Sequence, residues 1–505
     1  MALRRHREAV PVIVGVGDLA DHIADDDLGN AKEPLTLLEE AARFAADDAG
    51  PGRALLEAID TVLIVNVAAW VYRDLPAMLA ERLGARPSYR MHTDWGGNWP
   101  TKLVDLAAVR IAAGESTVAL IGAGDVFRSV ERAMRNGVAL PWTPPEDQPV
   151  QAQDVIPPVA FRHGLQWPTQ IYPLYENAFR AARGMSFDES QRWSAQMWSD
   201  MSKIAADNPA AWHPTPREPD EIATPAPDNR MIAHPYTKLM NAYLLVNQAA
   251  AVVVTDTGTA RRLGVPEERW VYPWGGAGAD DPMDVLQRVS YDRAPAMEST
   301  LDDALALTEG GIVDIDLLEL YSCFPCVPKM AATHLGLDRA RPMSVTGGLT
   351  FFGGAGNAYM LHATAAMTRA LRRGDGSSAL LYGQGGLVTK HHALLMGNEP
   401  PDGGYAAGDG EARQRAIDAL PAPALAPEPN GPGSLETYTV VYGRSGEPAS
   451  GIVVGRLRSG ERFVANTPQG DRAALEVLIR PDAEPIGIEG KVETNTEGQT
   501  TFDIV

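Results

Sequence analysis

Short apolar runs rich in β-branched residues alternate with amphipathic segments from the start of this chain, and that rhythm most limits how it can fold. Val12–Val16, Thr61–Val67 and Val118–Ile121 read as buried strands, with helical patterns over Leu35–Asp47 and Lys102–Ala113. The βαβαβ order predicts an α/β layer with a mainly parallel sheet. The same rhythm returns after residue 244, with strands at Ala249–Val254, Ile312–Leu320 and Ala379–Val388 and helices at Val327–Leu337 and Met360–Arg373. Two similar halves imply an internal duplication. Between them, residues 139–233 are rich in Pro and Trp (Trp142, Trp167, Trp193, Trp198, Trp212), with one helical stretch at Phe187–Asn208. Insertions of this size commonly carry ligand-binding surface.

The chain changes texture again after a Pro/Gly-bearing stretch, Glu399–Gly433, which reads as a linker with a short helix at Glu411–Leu420. Short strands then follow at Thr437–Tyr442, Gly451–Leu457, Arg462–Ala465, Glu484–Val492 and Thr500–Val505. They predict a small all-β barrel of the OB-like kind. The expected organisation is residues 1–138 and 234–262 as one half, 139–233 as a loop domain, 263–400 as the second half, 401–433 as linker and 434–505 as the barrel.

Charge and cysteine content narrow the partners. With 505 residues and a formal charge of -21, the chain lacks the basic surface that duplex nucleic acid requires. The barrel's arginines (Arg444, Arg456, Arg458, Arg462) are offset by Glu447, Glu461, Glu476, Glu484 and Glu489. A local basic pocket can still hold an anionic ligand. Two cysteines are too few for a disulfide scaffold or an all-cysteine zinc site. The basic Met1–Arg7 stretch has no long apolar segment behind it, and no run reaches membrane-spanning length. A cytoplasmic protein with no membrane span is expected.

Four turns at strand-to-helix junctions carry the candidate chemistry, because ligands of open α/β sheets bind at the carboxyl ends of strands. The first, Asp94-Trp95-Gly96-Gly97-Asn98-Trp99-Pro100, opens a helix but holds no nucleophile, and a plain structural turn is the competing reading. The second, Leu320-Tyr321-Ser322-Cys323-Phe324-Pro325-Cys326, fits a redox Cys-x-x-Cys, inert buried thiols, or a segment in which Cys323 or Tyr321 transfers protons. The third, Gly347-Gly348-Leu349-Thr350-Phe351-Phe352-Gly353-Gly354-Ala355-Gly356-Asn357, followed by Ala358 and Tyr359, lacks the Lys-Ser/Thr of a phosphate loop. Its glycines suit either close approach of backbone to a ligand or tight packing of elements. The fourth is Tyr382-Gly383-Gln384-Gly385-Gly386, followed by Lys390-His391-His392. Paired histidines there read as solvated, since no spaced set of further metal ligands accompanies them.

Taken in order over roughly residues 10–400, these turns resemble the thiolase superfamily, most of all its sterol-carrier-protein branch of the acetyl-CoA acetyltransferase type. Asn208-Pro209, His234-Pro235-Tyr236 and Asn247-Gln248-Ala249-Ala250-Ala251 match further signals of that branch. The resemblance implies a duplicated five-layer α/β fold with an inserted loop domain, and an acyl-CoA ligand of lipid metabolism with no other cofactor. It also implies that catalytic positions have changed. The nucleophilic cysteine falls at Gly97, or at Gly96 if the register slips, and the Gly-His-Pro histidine falls at Gly354. The His-Asp-Cys-Phe motif reads Tyr321-Ser322-Cys323-Phe324, and the late Cys-x-Gly falls around Tyr382-Gly383-Gln384. Losing nucleophile and activating histidine together removes a two-step mechanism.

The expectation is therefore a CoA- or acyl-CoA-binding protein without ordinary thiolase activity. Gly347, Gly348, Gly353, Gly356, Asn357 and Phe324 would line the acyl-CoA region, Tyr382, Gly383 and Gly385 the late motif. Gly97 and Gly354 would leave room for a bulkier acyl group. Cys323 and Tyr321 are the remaining catalytic candidates. Two alternatives stay open: a retro-aldolase acting on acyl-CoA side chains through tyrosine, with Tyr359 and Tyr382 nearby, and a non-catalytic scaffold whose OB-like domain meets a protein partner.

Overall fold

The computed structural model describes residues 9–24, 27–147, 156–401, 403–407 and 410–504. Met1–Arg7, read above for a targeting signal, and Val505 of the last expected strand lie outside the described residues.

The first sheet is built from β1 (Pro11–Ala20), β2 (Thr61–Ile64), β3 (Tyr89–His92), β4 (Val118–Asp125) and β7 (Gln248–Asp256), in the order β1-β7-β4-β2-β3. Four strands share one direction, and β7 runs antiparallel to β1 and β4. The second sheet holds β8 (Tyr272–Asp280), β9 (Leu317–Leu320), β10 (Ser378–Gly385), β11 (Lys390–Gly397) and β12 (Ala406–Ala407), ordered β12-β8-β11-β10-β9. Here β11 is the antiparallel strand. The run β1-β7-β4-β2 thus recurs as β8-β11-β10-β9, which is the expected duplication. The tight β10–β11 turn of the second half corresponds in the first to everything between β4 and β7. The inserted loop domain occupies that place.

Helices Trp99–Ala112 and Tyr359–Arg373 lie between the two sheets, helix Pro34–Ala49 covers the outer face of the first, and helix Pro295–Leu305 covers that of the second. The outer packing explains the glycines that interrupt the first apolar run. A Cβ at Gly15 would lie 2.0 Å from Ala45 O and one at Gly17 2.3 Å from Ala41 O, so only glycine lets the alanine-lined helix face settle on β1. The expected strand Ile312–Leu320 is shorter than read. Gly311–Asp314 forms a 3-10 turn, and pairing begins at Leu317.

The loop domain contributes helices Pro168–Ala182 and Phe187–Ala206 and the short strands β5 (Met231–Ala233) and β6 (Tyr236–Thr237). The C-terminal strands β13 (Gly431–Tyr442), β14 (Pro448–Leu457), β15 (Arg462–Asn466), β16 (Glu489–Thr494) and β17 (Thr500–Ile504) close into a five-stranded barrel, ordered β13-β14-β15-β17-β16 and back to β13. It is not all-β: helix Arg472–Ile479 lies between β15 and β16 and seals one end with Leu475 and Leu478. The stretch from Glu484 precedes β16 rather than belonging to it.

The barrel is fastened to the rest of the chain through buried polar contacts. β13 pairs with β5, Thr437 donates to Leu174 O at 2.6 Å, and Asn177 donates to Tyr438 O at 2.9 Å. The guanidinium of Arg462, fully buried, donates to Leu286 O at 2.7 Å. His234 stacks between Phe187 and Tyr438, where burial and the charge of Arg180 push its pKa down to about 3. Only the neutral imidazole fits. Because the folded value lies below the ordinary 6.5, this contribution is complete above pH 6.5 and is lost as pH falls toward 3. His234→Phe keeps the stack and removes the titration. Urea unfolding of this variant should therefore lose less stability than wild type between pH 6.5 and about 4.

Candidate functional site

The four turns meet at the carboxyl ends of the central strands. Asn98 caps helix Trp99–Ala112, placing Gly96 and Gly97 just ahead of it. The Gly96 amide donates to Asn357 Oδ1 at 2.9 Å, and Asn357 Nδ2 donates to Asn66 O at 3.2 Å, which ties the first turn to the third. From the fourth turn, Gly385 presses on the same backbone: a Cβ there would lie 2.9 Å from Gly96 Cα and 3.0 Å from Gly97 N.

Tyr321, from the second turn, fills the space at Gly97. A Cβ at Gly97 would lie 2.5 Å from the Tyr321 hydroxyl oxygen and 2.6 Å from Gln384 O. The expectation that Gly97 leaves room for a larger acyl group is therefore wrong: a phenol and a backbone carbonyl occupy that room. The Tyr321 hydroxyl has no hydrogen-bond partner among the described residues, and the side chain is 7% exposed. Burial raises its pKa well above the ordinary 10, so it is a neutral phenol at physiological pH and suited to donating a hydrogen bond.

The thiols are poorly placed for proton transfer. Cys323 is buried with its Sγ 3.6 Å from Gln384 Oε1, and burial pushes its pKa up to about 12. Cys326 lies 3.6 Å from Tyr172 O and is raised further by burial and the nearby Glu176. Both are free, so the redox and inert alternatives reduce to buried thiols in this state. Phe324 stacks on Tyr172 at 4.3 Å, and the Tyr172 hydroxyl donates to Gln384 Oε1 at 2.9 Å and Gly386 O at 3.0 Å. Tyr172 and Gln384 went unnoticed in the sequence. Tyr172 sits on the apolar stripe of a loop-domain helix, where nothing separates it from an ordinary core residue.

In the third turn, Gly348–Phe352 forms a π-helical turn. Its glycines mostly face protein. A Cβ at Gly347 would meet Ala205 backbone at 2.6 Å, one at Gly348 the Met201 sulfur at 2.7 Å, one at Gly353 the Gln248 side chain at 2.6 Å and one at Gly356 the Asp125 carboxylate at 2.5 Å. The Tyr359 hydroxyl donates to the buried Glu319 at 2.7 Å and accepts from Gly348 N at 3.0 Å, so it holds this turn in place. Gly354 is different: its nearest neighbours would be Leu244, Leu349 and Tyr243 O, all at 3.5 Å, ordinary contact distance.

Basic and aromatic side chains lie nearby. Gly354 N donates to Tyr243 O at 2.9 Å, the Tyr243 ring meets His213 at 4.4 Å, and Trp212 stacks on His22 at 4.2 Å. The pKa of His213 is lowered by partial burial and then by the positive charges of Lys238, His22, Arg217 and Arg128. Leu244 is 48% exposed beside them. A protein of charge -21 thus gathers cations about His213, near the one glycine of the third turn where an added Cβ would meet no clash. The contributing residues are spread from His22 to Lys238, so no sequence window could have displayed the cluster.

In the fourth turn, Gly383 packs on Asn98, and Tyr382 is fully buried with its hydroxyl 2.7 Å from His391 Nδ1. His391 in turn lies 3.5 Å from Asp281, which is paired with Arg288 at 3.0 Å. The neighbouring His392 sits 3.1 Å from Asp105. The reading of these histidines as solvated is overturned: both are within 3% of complete burial, because their strand β11 lies inside the sheet. Among the described residues no group of three or more His, Cys, Asp or Glu side chains could hold a metal.

Comparison with known proteins fits this geometry. The profile of the thiolase-like protein type 1 additional C-terminal domain matches residues 413–497. Over 99% of this chain and 100% of the other, the structure superposes on a monomeric SCP2-thiolase like protein type 1 from Mycobacterium smegmatis, at 32% identity and a TM-score of 0.84. The chain belongs to the type 1 SCP2-thiolase-like proteins. More distant likenesses concern the fold alone. An Ltp2-ChsH2(DUF35) aldolase is 20% identical, covering 77% of this chain and 98% of its own, with a TM-score of 0.58. Human mitochondrial 3-ketoacyl-CoA thiolase, solved in complex with CoA, is 17% identical, covering 79% of this chain and 99% of its own, with a TM-score of 0.54. No curated protein matches the chain. Within the described residues of this type 1 protein, no helix is long and apolar enough to cross a membrane.

Proposed function

We propose that this type 1 SCP2-thiolase-like protein binds CoA or an acyl-CoA near Gly354 and His213 and does not carry out ordinary thiolysis. The observation that carries the reading is the gathering of Lys238, Arg217 and Arg128 about His213, on the side of the third turn where Gly354 would accept a Cβ without a clash. CoA presents phosphates that these cations would attract, and the half-exposed Leu244 offers apolar surface to a pantetheine arm. The family's fold supports the ligand class. The phenol lodged against Gly97 supports the absence of covalent transfer, since no nucleophile can be placed there. Two buried free thiols suit a reducing compartment, and we place the protein in the cytoplasm.

Calorimetric titration with CoA is the test. Binding in the micromolar range is expected, weakening at least about tenfold, or ~1.4 kcal/mol, in Lys238→Glu/Arg217→Glu, and falling with added salt. No binding of CoA or acyl-CoA at millimolar concentration, or thiolysis of acetoacetyl-CoA at a true thiolase's rate, would overturn it.

A second reading rests on Tyr321. A neutral, unpartnered phenol at the centre of the four turns can give its proton to the α-carbon as the Cα–Cβ bond of a β-hydroxyacyl-CoA breaks, and the phenolate so formed can take up the β-hydroxyl proton, which restores the phenol. Cleavage that disappears in Tyr321→Phe with CoA binding intact supports it.

A further inference from the structure

The fourth turn ends on a strained backbone position. Val388, between β10 and β11, has φ 62°, and among the described residues no other non-glycine residue has a positive φ. A β-branched residue is a genuine outlier there, and such a conformation persists only where its surroundings impose it. Three donors from other parts of the chain hold the carbonyls on either side of it. The Tyr172 hydroxyl donates to Gly386 O at 3.0 Å, the Tyr175 hydroxyl to Leu387 O at 3.0 Å and the Asp281 amide to Thr389 O at 2.7 Å.

Two of these donors lead to the barrel. Arg462 of β15 is fully buried, and its guanidinium joins barrel to body. Nε and Nη2 donate to Glu436 of β13 at 2.9 and 2.6 Å, while Nη1 donates to Leu286 O at 2.7 Å and Arg288 O at 2.5 Å. The guanidinium carbon lies 5.0 Å from the centroid of the Tyr291 ring, and that ring meets Tyr175 edge to face at 5.5 Å. Arg288 in turn pairs with Asp281 at 3.0 Å. Arg462 thus braces Tyr175 through one ring and Asp281 through one ion pair. Arg288, Tyr291, Tyr175 and Val388 are each at most 1% exposed. An interior packed this closely transmits a displacement instead of absorbing it. The far end of the path is the wall beside Tyr321, whose amide donates to Tyr382 O at 3.0 Å and whose hydroxyl shares the space at Gly97 with Gln384 O.

We propose that the C-terminal barrel is a positioning element of the site. Arg462, acting through Tyr291 and Tyr175 and through Arg288 and Asp281, holds the Gly386–Thr389 turn in its strained form and so fixes the wall beside Tyr321. This rests on the reading of Tyr321 as the group that transfers protons. It assigns the additional domain a task inside its own chain.

Hydrogen exchange of the full-length protein, followed by mass spectrometry on peptides spanning residues 384–391, is the test, because exchange there reports local opening of the turn. Arg462→Met leaves the Leu286 and Arg288 carbonyls without their donor, while Glu436 keeps Arg456 at 2.9 Å. It should speed exchange of the turn at least about tenfold. Tyr175→Phe keeps the ring and loses only the bond to Leu387 O, so it should speed the turn and leave the barrel peptides as in wild type. Leu37→Ala, in the helix on the outer face of the first sheet, controls for general loss of stability and should leave the turn unchanged. An unaltered turn in Tyr175→Phe overturns the proposal, whether or not Arg462→Met folds. So does equal acceleration of the turn by Leu37→Ala and Arg462→Met. In cleavage of a β-hydroxyacyl-CoA, both variants should lower kcat and keep KM within about twofold, and a loss confined to KM counts against positioning. Wild type that cleaves no such substrate defeats the Tyr321 reading alone, and exchange still decides whether the barrel holds the turn.

Discussion

Restoring cysteine at position 97 will destabilise the protein and will not create a thiolase. The new Cβ would stand 2.5 Å from the Tyr321 hydroxyl and 2.6 Å from Gln384 O, distances that real Cβ atoms do not tolerate. A flexible side chain could swing away, but Tyr321 is packed against Tyr359 at a 6.0 Å ring separation, and the Gln384 carbonyl belongs to β10. Overpacking of this kind typically costs about 1–3 kcal/mol. Gly97→Cys should therefore lower the unfolding free energy by that amount, read as a lower urea midpoint, and show no thiolysis, with or without Gly354→His. Gly97→Cys/Tyr321→Ala separates the causes. Removing the phenol should recover part of the loss, leaving the share due to the carbonyl. Wild-type stability in Gly97→Cys would show that Tyr321 moves freely, and the site would then be a hinged pocket rather than a filled one.

That contrast also shows what the sequence can and cannot carry. The α/β rhythm was legible because strand and helix periodicities are local. The duplication was legible because each half repeats the rhythm. The resemblance placed a lost nucleophile at Gly97, but nothing in the sequence showed the position to be filled, because the atoms that fill it come from Tyr321 and Gln384, hundreds of residues away. His391 and His392 misled for a related reason. Next to Lys390 they look polar and exposed, yet pairing with β8 and β10 puts them inside the sheet, where one nitrogen of each ring is bonded, His391 Nδ1 to Tyr382 and His392 Nε2 to Asp105. The helix in the barrel was missed because Arg472–Ile479 is only eight residues long, barely two turns, set among strand-like segments. The gathering of cations about His213 is likewise a product of tertiary structure alone.

The largest single loss is expected at Glu176, beneath the Tyr321–Cys326 turn. Lys329 is fully buried, and its ammonium donates to Glu176 at 2.6 Å, to Ser190 O at 2.9 Å and to Ser190 Oγ at 2.9 Å. Glu176 also accepts from Ser190 at 2.6 Å and from Tyr236 at 2.8 Å, and the Tyr236 hydroxyl accepts from Cys326 N at 3.2 Å. The pair thus joins the loop domain to the helix that follows the second turn. Burial alone pulls the pKa of Lys329 down, and only the carboxylate and the two serine oxygens make the ammonium tenable. Glu176→Leu leaves that ammonium without its counter-charge and should cost about 3–5 kcal/mol, read by urea unfolding at neutral pH. Glu176→Leu/Lys329→Met removes both charges and should regain most of the loss, because exchanging a buried pair for apolar groups is often close to neutral. Full additivity of the two single losses would show that the residues do not act as a pair. If the pair does act through Tyr236 on the turn, Glu176→Leu should also weaken CoA binding while the double variant, which still lacks the Tyr236 acceptor, stays weak. Stability would then recover without recovery of binding, and that split distinguishes a residue that positions the site from one that only holds the fold.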